Sequence, residues 1–557
     1  MRRLASLCLF ALVLAPAAHP QGVELMPGVT FERTVEFTPH GAVALNVLTA
    51  PRPGGLYQLG PVVSSGTVSG TGEPLTQIER DVSAQATVAG INGDLTARDG
   101  APAGIVLVNG VLEHPPFTGR SSIGVDASGT LHVERLRFFG TWKGTGQRRP
   151  VDAINRTPIQ GQVVLFTPTF GATVPRVAGS AEVTLEPFAA ATPNADLTAP
   201  VTAVGAGGGE AIPADGAVLQ ATGVSAAKLQ AEAPVGTVVT TRLILQPSWD
   251  GVVGGLGGGP VLVRGGSAIF RSGEDFADDL IASRTPRAGV GQLADGRIIL
   301  VAVDGNQPGY SAGMTNFELA QAMRRLGAVT ASAVASGGGV SLAFDGALLS
   351  RPPGREQPVR EALLLQYTGV YAPPLTVPVL NGDPGRAAEP LAYKLVRPSK
   401  VTAELIGPDG VPRVLETDAQ HDPGTYPQTF TAFDAEGTWH WHVQATDDLG
   451  RVSVADRPFR YDATLRALVV PKSATAALAI RFSLTRDASV RLRIETRGGV
   501  VMRELPFTKL ATGSQQLVWD GRVTPGTRAY AGAYVAHLTV TSAVGTSDLS
   551  VPFSFHR

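Results

Sequence analysis

Two short polar turns, each placed directly after an apolar run, hold the first candidates for chemistry. Asp304 follows the run Ile298–Val303, and Ser336 follows the apolar run 329–335. Ser336 opens a glycine-rich turn made of Gly337, Gly338 and Gly339. A carboxylate can move protons, and consecutive glycines let backbone N–H groups approach a phosphate closely. The plainer alternatives are an Asp-Gly turn with a local side-chain cap and an ordinary strand-end turn.

The residues between these two turns predict the clearest helix of the chain, over 316–326. Thr315 is a good N-cap, and Glu318 three residues later completes a capping box, which explains this glutamate without a catalytic role. Gly327 occupies the usual position after a helix. The buried face of the helix is predicted from the i, i+3, i+4, i+7 spacing of Leu319, Ala322, Met323 and Leu326.

Apolar runs on both sides of this helix predict two buried strands in a β-α-β unit. If the strands are parallel neighbours, Asp304 and Ser336 lie at the same end of the sheet. Ligands in such sheets often bind beyond the carboxyl ends of the strands. This edge is therefore the first candidate site.

The rest of the chain predicts a β-rich α+β protein of several domains. Its 557 residues exceed one hydrophobic core, and 66 glycines and 42 prolines indicate many turns. Residues 22–80 alternate apolar and polar positions, as half-buried strands do. Residues 190–210, rich in Ala, Pro, Thr and Gly, are predicted to form a loop. The expected units are a first domain at 22–370 and two β-sandwiches of Ig-like size at 371–463 and 464–557.

The first 18 residues are predicted to be a cleaved secretory signal. Arg2 and Arg3 precede the apolar stretch 4–16, which is too short to span a bilayer, and small residues follow it. The single cysteine, Cys8, lies within this signal. A secreted or extracytoplasmic location follows, in a bacterial periplasm or on a cell surface, with no transmembrane segment after cleavage.

Charge excludes some partners. The formal net charge is -1, and no dense run of Lys and Arg with interleaved aromatic residues is present, so no nucleic-acid partner is expected. No cofactor is predicted, and the sequence leaves a requirement for a divalent metal open. His440 and His442 share a strand face, but no third ligand accompanies them in the sequence.

Four passages in order across about 85–366 resemble the phosphodiester glycosidase family, whose best-known relative is the lysosomal uncovering enzyme. They are joined by the stretches 258–263 and 351–364. The passages themselves are 90–95 (GINGDL), 283–291 (SRTPRAGVG), 303–315 (VDG, then GYSAGMT) and 336–341 (SGGGVS).

The resemblance implies hydrolysis of a sugar-1-phosphate diester on a phosphate-linked glycan or a cell-envelope polymer. One departure bears on activity: Ser336 stands where the family has Asp, and a serine hydroxyl cannot act as a carboxylate base. The alternatives are therefore an active glycosidase and a catalytically degenerate glycan-binding surface protein. A purely structural surface protein is a third and weaker interpretation.

Each candidate side chain has a functional and a structural interpretation. Asp304 and Asp94 are the candidate catalytic carboxylates; Asn92 and Asp94 would otherwise form an Asx-turn. Arg287 could bind phosphate or form an internal ion pair. Ser311 could bind substrate or only support its loop, and Asn155 could line the cleft. The candidate substrate-binding residues are Asn92, Arg287, Ser311, Ser336, Gly337, Gly338, Gly339 and Asn155.

Residues 488–548 resemble the Ig-like domain of flagellar hook-capping proteins. The stretches 519–522 (WDGR) and 531–534 (AGAY) carry this resemblance. Trp519 and Tyr534 are predicted to fill the core, and Asp520-Gly521 is predicted to turn the chain. These are folding features, so this block is expected to space or attach the first domain.

Overall fold

A computed structural model describes residues 22–270, 272–375, 379–380, 391–428, 435–497, 499–523 and 526–556. The predicted signal at 1–18 lies outside the described residues. Within them the fold is dominated by eight β-sheets with a few short helices. The α-helices are Leu75–Val82, Val224–Glu232, Asp278–Ala282 and Asn316–Arg325, and the 3₁₀ turns are Ser64–Gly66, Pro168–Phe170 and Gly337–Gly339.

Four sheets are built from the first part of the chain. In spatial order, the first sheet contains Val23–Met26, Val29–Thr38, Gly41–Ala50, Ile298–Val303, Arg287–Leu293, Ala328–Ala333, Val261–Arg264 and Ser267–Ala268. The second contains, in the same sense, Arg149–Val151, Arg137–Lys143, Val238–Gln246, Asp196–Ala206, Ala181–Leu185, Ala217–Ala221, Val163–Phe166 and Ala153–Ile154. The third contains Val111–His114, Val106–Val108, Val252–Gly257, Ser121–Asp126 and Leu131–Arg135. The fourth contains Ala347–Leu348, Leu342–Phe344, Thr87–Asn92, Glu361–Tyr367 and Tyr57–Val63.

The predicted helix is present at Asn316–Arg325 with its complete capping box. Thr315 accepts from the N–H of Glu318, and the Glu318 side chain accepts from the N–H of Thr315. Gly327 follows at φ +93°, where a side chain would be strained. Leu319, Ala322 and Met323 of the predicted face pack on the first sheet, against residues such as Leu262 and Val301. The prediction for Leu326 is wrong, because this residue follows the last helical turn and is exposed.

The predicted β-α-β unit with neighbouring parallel strands is not confirmed. Ile298–Val303 and Ala328–Ala333 run in the same direction, but Arg287–Leu293 lies between them and pairs antiparallel with both. The carboxyl ends of the two strands still meet one edge of the sheet, beside Arg287. The sequence pattern conceals the intervening strand Arg287–Leu293, because two glycines interrupt its apolar positions.

The prediction of a loop at 190–210 is wrong, because Asp196–Ala206 is an eleven-residue strand. It pairs with Val238–Gln246 on one side and with Ala181–Leu185 on the other. Its alternate residues Leu197, Ala199 and Val201 are buried. Small side chains and a proline conceal this period-2 pattern in the sequence.

Two further units follow, each with its own buried core. Residues up to Tyr461 form a five-stranded sheet (Val379–Leu380, Val452–Tyr461, Gly437–Asp447, Ser399–Ile406, Pro412–His421) and a pair (Leu391–Leu395, Gly424–Gln428). The last sheets contain Leu465–Val469, Leu478–Leu484 and Gly513–Trp519, and then Ser473–Ala474, Thr546–Phe555, Gly532–Thr541, Ala488–Thr496 and Val501–Leu510. The core prediction for Trp519 and Tyr534 is confirmed, since both are buried in one cluster, and Gly521 turns the chain at φ +72°.

A buried arginine fastens the second unit to the first. The Arg457 guanidinium donates to the carbonyl of Ala372 at 2.7 Å and to that of Leu25 at 2.9 Å. Leu25 belongs to Val23–Met26, the first strand of the described residues, so this contact spans more than 430 residues. Among the helices of the described ranges, none is long and apolar enough to cross a bilayer.

Candidate functional site

Strand ends from three sheets converge at one place in the first domain. Gly258 donates to the carbonyl of Ser121 at 3.1 Å, and Gly259 donates to that of Ala333 at 2.8 Å. Ala335 donates to the carbonyl of Gly93 at 3.0 Å. The turns after these strands therefore form one continuous surface, to which the passages at 90–95 and 336–341 both contribute.

Asn92 holds two of these passages together from inside. Its side-chain N–H donates to the carbonyls of Gly93 and Ala335, each at 3.2 Å, and its oxygen accepts from the N–H of Ser341 at 3.2 Å. The residue is fully buried. These bonds make Asn92 a clamp between the turn after Thr87–Asn92 and the glycine turn.

Asp94, Arg120 and Glu361 form a buried cluster beside this clamp. The guanidinium of Arg120 donates to the Asp94 carboxylate at 2.5 Å, and the N–H of Asp94 donates to the Glu361 carboxylate at 2.9 Å. Glu361 begins the strand next to Thr87–Asn92, where Ala362 is paired with Asn92. Neighbouring strands thus place two carboxyl groups and one cation side by side.

Burial raises the pKa of both carboxyl groups. Desolvation raises the pKa of Glu361 to about 8, and the nearby Asp94 charge adds to the rise. Desolvation also raises the pKa of Asp94 to about 6, although Arg120 opposes this by favouring the charged form. At neutral pH the pair therefore holds about one proton, mainly on Glu361.

Three polar atoms in and beside this cluster have no hydrogen-bond partner within the described ranges: Glu361 Oε2, Arg120 Nε and His114 Nε2. Unsatisfied buried polar atoms cost about 1–3 kcal/mol each, so their grouping is a mark of function. His114 is tied to the cluster through Gly104, whose carbonyl lies 2.7 Å from His114 Nδ1. Burial lowers the pKa of His114, so its ring is neutral at pH 7.

Glycines make the room for Asp94. A Cβ at Gly257 would lie 2.1 Å from Asp94 Oδ2, and one at Gly104 would lie 2.7 Å from the same atom. Neither position accepts a side chain while Asp94 keeps this orientation. The sequence therefore encodes a close-fitting chamber around this carboxylate.

The glycine turn lies on the outer side of the Asn92 clamp. Residues Gly337–Gly339 form a 3₁₀ turn, with Gly337 at φ +84° and Gly338 exposed. The Gly337 N–H donates to the carbonyl of Pro286 at 3.0 Å. The Ser336 hydroxyl has no hydrogen-bond partner among the residues that the structure describes. It is thus available to a ligand at the turn.

Asp304 and Ser311 organise a neighbouring loop. Asp304 is buried, with one carboxylate oxygen accepting from Tyr310 at 2.8 Å and the other from the N–H of Arg351 at 2.9 Å. Ser311 donates to the Asp304 carbonyl and accepts from the N–H of Ala44. Internal bonds therefore account for both polar side chains.

The Arg287 side chain is buried and points into the protein interior. Its guanidinium donates to the carbonyls of Met314 at 2.9 Å and Ser283 at 2.6 Å, and more weakly to that of Ile281. Burial lowers its pKa to about 10. These bonds tie the start of strand Arg287–Leu293 to the loop before the helix Asn316–Arg325 and to the end of the helix Asp278–Ala282, which is a structural use of the cation.

Asn155 is likewise satisfied internally. Its side-chain N–H donates to the carbonyl of Glu113 and to the Thr167 hydroxyl, and its oxygen accepts from the N–H of Thr167. The backbone sits at φ +49°, a conformation that asparagine tolerates. The structure thus brings Asn92, Asp94 and the glycine turn together, whereas internal bonds occupy the side chains of Asp304, Ser311, Arg287 and Asn155.

The sequence reasoning missed Arg120, Glu361 and His114. Glu361 could have been noticed as a carboxylate at the head of an apolar strand, and His114 as a histidine ending another. Arg120 stands in a polar turn and gives no such signal. In the described part of the chain, no group of three or more His, Cys, Asp or Glu side chains is arranged to hold a metal ion.

Comparison with known families confirms the resemblance for two parts of the chain. Residues 189–366 match the phosphodiester glycosidase family, and residues 467–543 match the FlgD Ig-like domain. Glu361 lies within the first match, whereas Asp94 and Arg120 precede it. None of the curated proteins matches the chain significantly.

Solved structures resemble part of the chain. A hypothetical protein from Synechocystis is 26% identical, with a TM-score of 0.51, over 61% of this chain and 62% of that one. This chain therefore spans less than two thirds of the Synechocystis protein. A putative exported protein from Burkholderia pseudomallei is 23% identical over 58% of this chain and 74% of its own, with a TM-score of 0.47. The zebrafish N-acetylglucosamine-1-phosphodiester alpha-N-acetylglucosaminidase catalytic domain, auto-inhibited by its pro-peptide, is 12% identical over 62% and 84%, with a TM-score of 0.31.

Proposed function

We propose that this chain is an exported hydrolase that cleaves a sugar-1-phosphate diester on a phosphate-linked glycan or a cell-envelope polymer. Asp94, Glu361 and Arg120 form its reacting centre. The family match at 189–366 supports the reaction class, and the signal predicted at 1–18 supports export. The observation that carries the proposal is a buried pair of carboxyl groups, with pKa values raised to about 6 and about 8, beside one arginine.

The pair supplies an acid and a base at the same pH. Glycoside cleavage needs one carboxylic acid for the leaving group and one carboxylate for water or for the sugar. Environments that separate the pKa values of two titratable groups assign these roles. Glu361 is the acid because it keeps its proton at neutral pH, and Asp94 is the base.

In the proposed reaction, the bond between the anomeric carbon and the phosphate oxygen breaks. Glu361 gives its proton to that leaving oxygen, and Asp94 takes one from the attacking water. The water oxygen becomes the new hydroxyl of the sugar, and the phosphate leaves as a monoester. One water is consumed, and proton exchange with solvent restores both carboxyl groups.

The phosphate is held by Arg120 and the glycine turn. Arg120 Nε has no partner among the described residues, so one donor of its planar fork is available to a phosphate oxygen. Backbone N–H groups at Gly338 and Gly339 and the Ser336 hydroxyl supply further donors. Ser336 thus serves as a neutral phosphate donor in place of a family carboxylate.

One observation favours a second function, a glycan-binding protein that does not hydrolyse. Glu361 is only 1% exposed and Asp94 only 5%, so a substrate must open a path to reach them. In that case Ser336 and the glycine turn bind the phosphate at the surface, and the buried cluster only supports the turn through Asn92.

The test is release of sugar from a panel of α-GlcNAc-1-phosphodiesters by the purified chain. Glu361→Gln and Ser336→Asp are assayed beside the parent, and binding is measured by calorimetry. Glu113→Gln is the matched control, because Glu113 is also a buried carboxyl but bonds to Thr167 instead of the cluster.

Hydrolysis by the parent and by Glu113→Gln, with loss in Glu361→Gln, supports the hydrolase. Binding without hydrolysis in the parent, with turnover gained in Ser336→Asp, supports the degenerate glycan-binding protein. If no variant binds or hydrolyses any member of the panel, both functions are rejected.

A further inference from the structure

A cleft opens beside Phe276, the residue whose ring contacts Arg120 of the reacting centre. It has a volume of about 630 Å³, within the range of small-molecule sites. Apolar side chains form most of its walls, among them Leu262, Ile269, Phe270, Ile281 and Phe317.

Phe276 and Glu274 connect this cleft to the reacting centre. The Phe276 ring lines the cleft and also lies 4.9 Å from the Arg120 guanidinium. Glu274 lines the cleft as well, and its carboxylate accepts from the N–H of Ser121, the residue after Arg120. The Phe276 ring is therefore shared by the Arg120 guanidinium and the cleft.

One buried polar atom at the cleft lacks a partner. The side-chain oxygen of Asn316 makes no hydrogen bond within the described residues, although the residue is only 5% exposed. The oxygen itself is closed to solvent, so a hydroxyl or amide N–H of a ligand satisfies it once the side chain turns toward the cleft. Mainly apolar walls with a few polar groups, among them Glu274, Asp278 and Thr315, suit a chain-like group that carries a hydrogen-bond donor near its head.

We propose that this cleft binds the aglycone, and that the aglycone is apolar: an alkyl or acyl chain with a hydroxyl or amide near the phosphate. The inference rests on the proposed function, because it assigns the second substituent of the same phosphodiester. Most of the lining side chains are apolar, so an apolar chain gains by burial against them.

The test compares methyl and octyl diesters of α-GlcNAc-1-phosphate as substrates of the full chain. Ala282→Trp fills the cleft, since Ala282 is an exposed residue on its wall. Ala231→Trp, at an exposed position of the helix Val224–Glu232, is the matched control. The expected kcat/KM for the octyl diester exceeds that for the methyl diester by on the order of tenfold or more. Ala282→Trp removes this preference and leaves the methyl diester unaffected, and Ala231→Trp changes neither.

Equal kcat/KM values for the two diesters in the parent, or an equal fall for both in Ala282→Trp, would overturn the proposal. Calorimetric binding separates this result from failure of the proposed function. If neither diester is hydrolysed but the octyl diester binds more tightly, and Ala282→Trp abolishes the difference, the cleft assignment stands without the hydrolase. Equal binding of both diesters rejects the assignment.

Discussion

The backbone N–H of Asp94 donates to the Glu361 carboxylate at 2.9 Å, across a separation of 267 residues. This bond joins the turn after Thr87–Asn92 to the first residue of the neighbouring strand, and Arg120 completes the arrangement from a third element. The strand pairing of the fourth sheet therefore fixes the geometry of the two carboxyl groups.

Arg120→Lys is expected to lower kcat/KM for a sugar phosphodiester by about 10²-fold or more. A lysine cannot hold the Asp94 carboxylate and a phosphate oxygen with one planar fork. The sugar-release assay measures the effect. Arg135→Lys is the control, because Arg135 binds the nearby Ser272 carbonyl from the surface. Equal activity of the parent and Arg120→Lys would show that Arg120 is not part of the reacting centre.

Arg287→Met is expected to reduce the free energy of unfolding by about 2–3 kcal/mol, because its charged hydrogen bonds to backbone carbonyls are lost. The KM for a phosphodiester should stay unchanged, since the guanidinium faces the protein interior. Urea unfolding and steady-state kinetics check the two halves of this prediction. A large rise in KM with unchanged stability would instead indicate that Arg287 binds the phosphate.

The stability of the first domain should fall as pH rises from about 5 to 8. Glu361 has a folded pKa raised to about 8, so the folded state keeps a proton that the unfolded state has already lost. Stability is then highest below the unfolded pKa and declines through this window, by at most about 1.4 kcal/mol per pH unit. Glu361→Gln should flatten the decline in a series of thermal melts. An identical slope in parent and variant would contradict the raised pKa.

Arg457→Ala is expected to loosen the second unit from the first. The variant loses the buried bonds to Ala372 and Leu25, so calorimetry should show the melting temperature lowered by on the order of 4 °C, or the transition split. Lys400→Ala, at an exposed position of the same sheet, should melt like the parent. A parent-like melt of Arg457→Ala would show that the units do not depend on this contact.

Local patterns predicted the local structure well. The capping box of Thr315 and Glu318 and the core positions of Trp519 and Tyr534 follow from near neighbours in the sequence, and the structure confirms them. Asp196–Ala206 was missed because its inward positions are mostly small. The strand order of the first sheet was missed because pairing partners are set by packing between distant segments.

The site was predictable only in part for the same reason. Asn92, Asp94 and the glycine turn lie in motifs of adjacent residues, and the structure brings them together. Asp304 also follows an apolar run and precedes a glycine, yet Tyr310 and Arg351 occupy its carboxylate. Arg120 and Glu361 are recognised only once the sheets place them beside Asp94.

The pH dependence of kcat/KM for α-GlcNAc-1-phosphodiester hydrolysis, in the parent, Glu361→Gln and Asp304→Asn, tests the central claim most directly. The parent should give a bell-shaped profile, rising near pH 6 as Asp94 ionises and falling near pH 8 as Glu361 loses its proton. Glu361→Gln should lose activity and Asp304→Asn should keep the shape of the profile. Full activity in Glu361→Gln, together with loss of the bell-shaped profile in Asp304→Asn, would contradict this assignment. Asp304, and not Glu361, would then belong to the reacting centre.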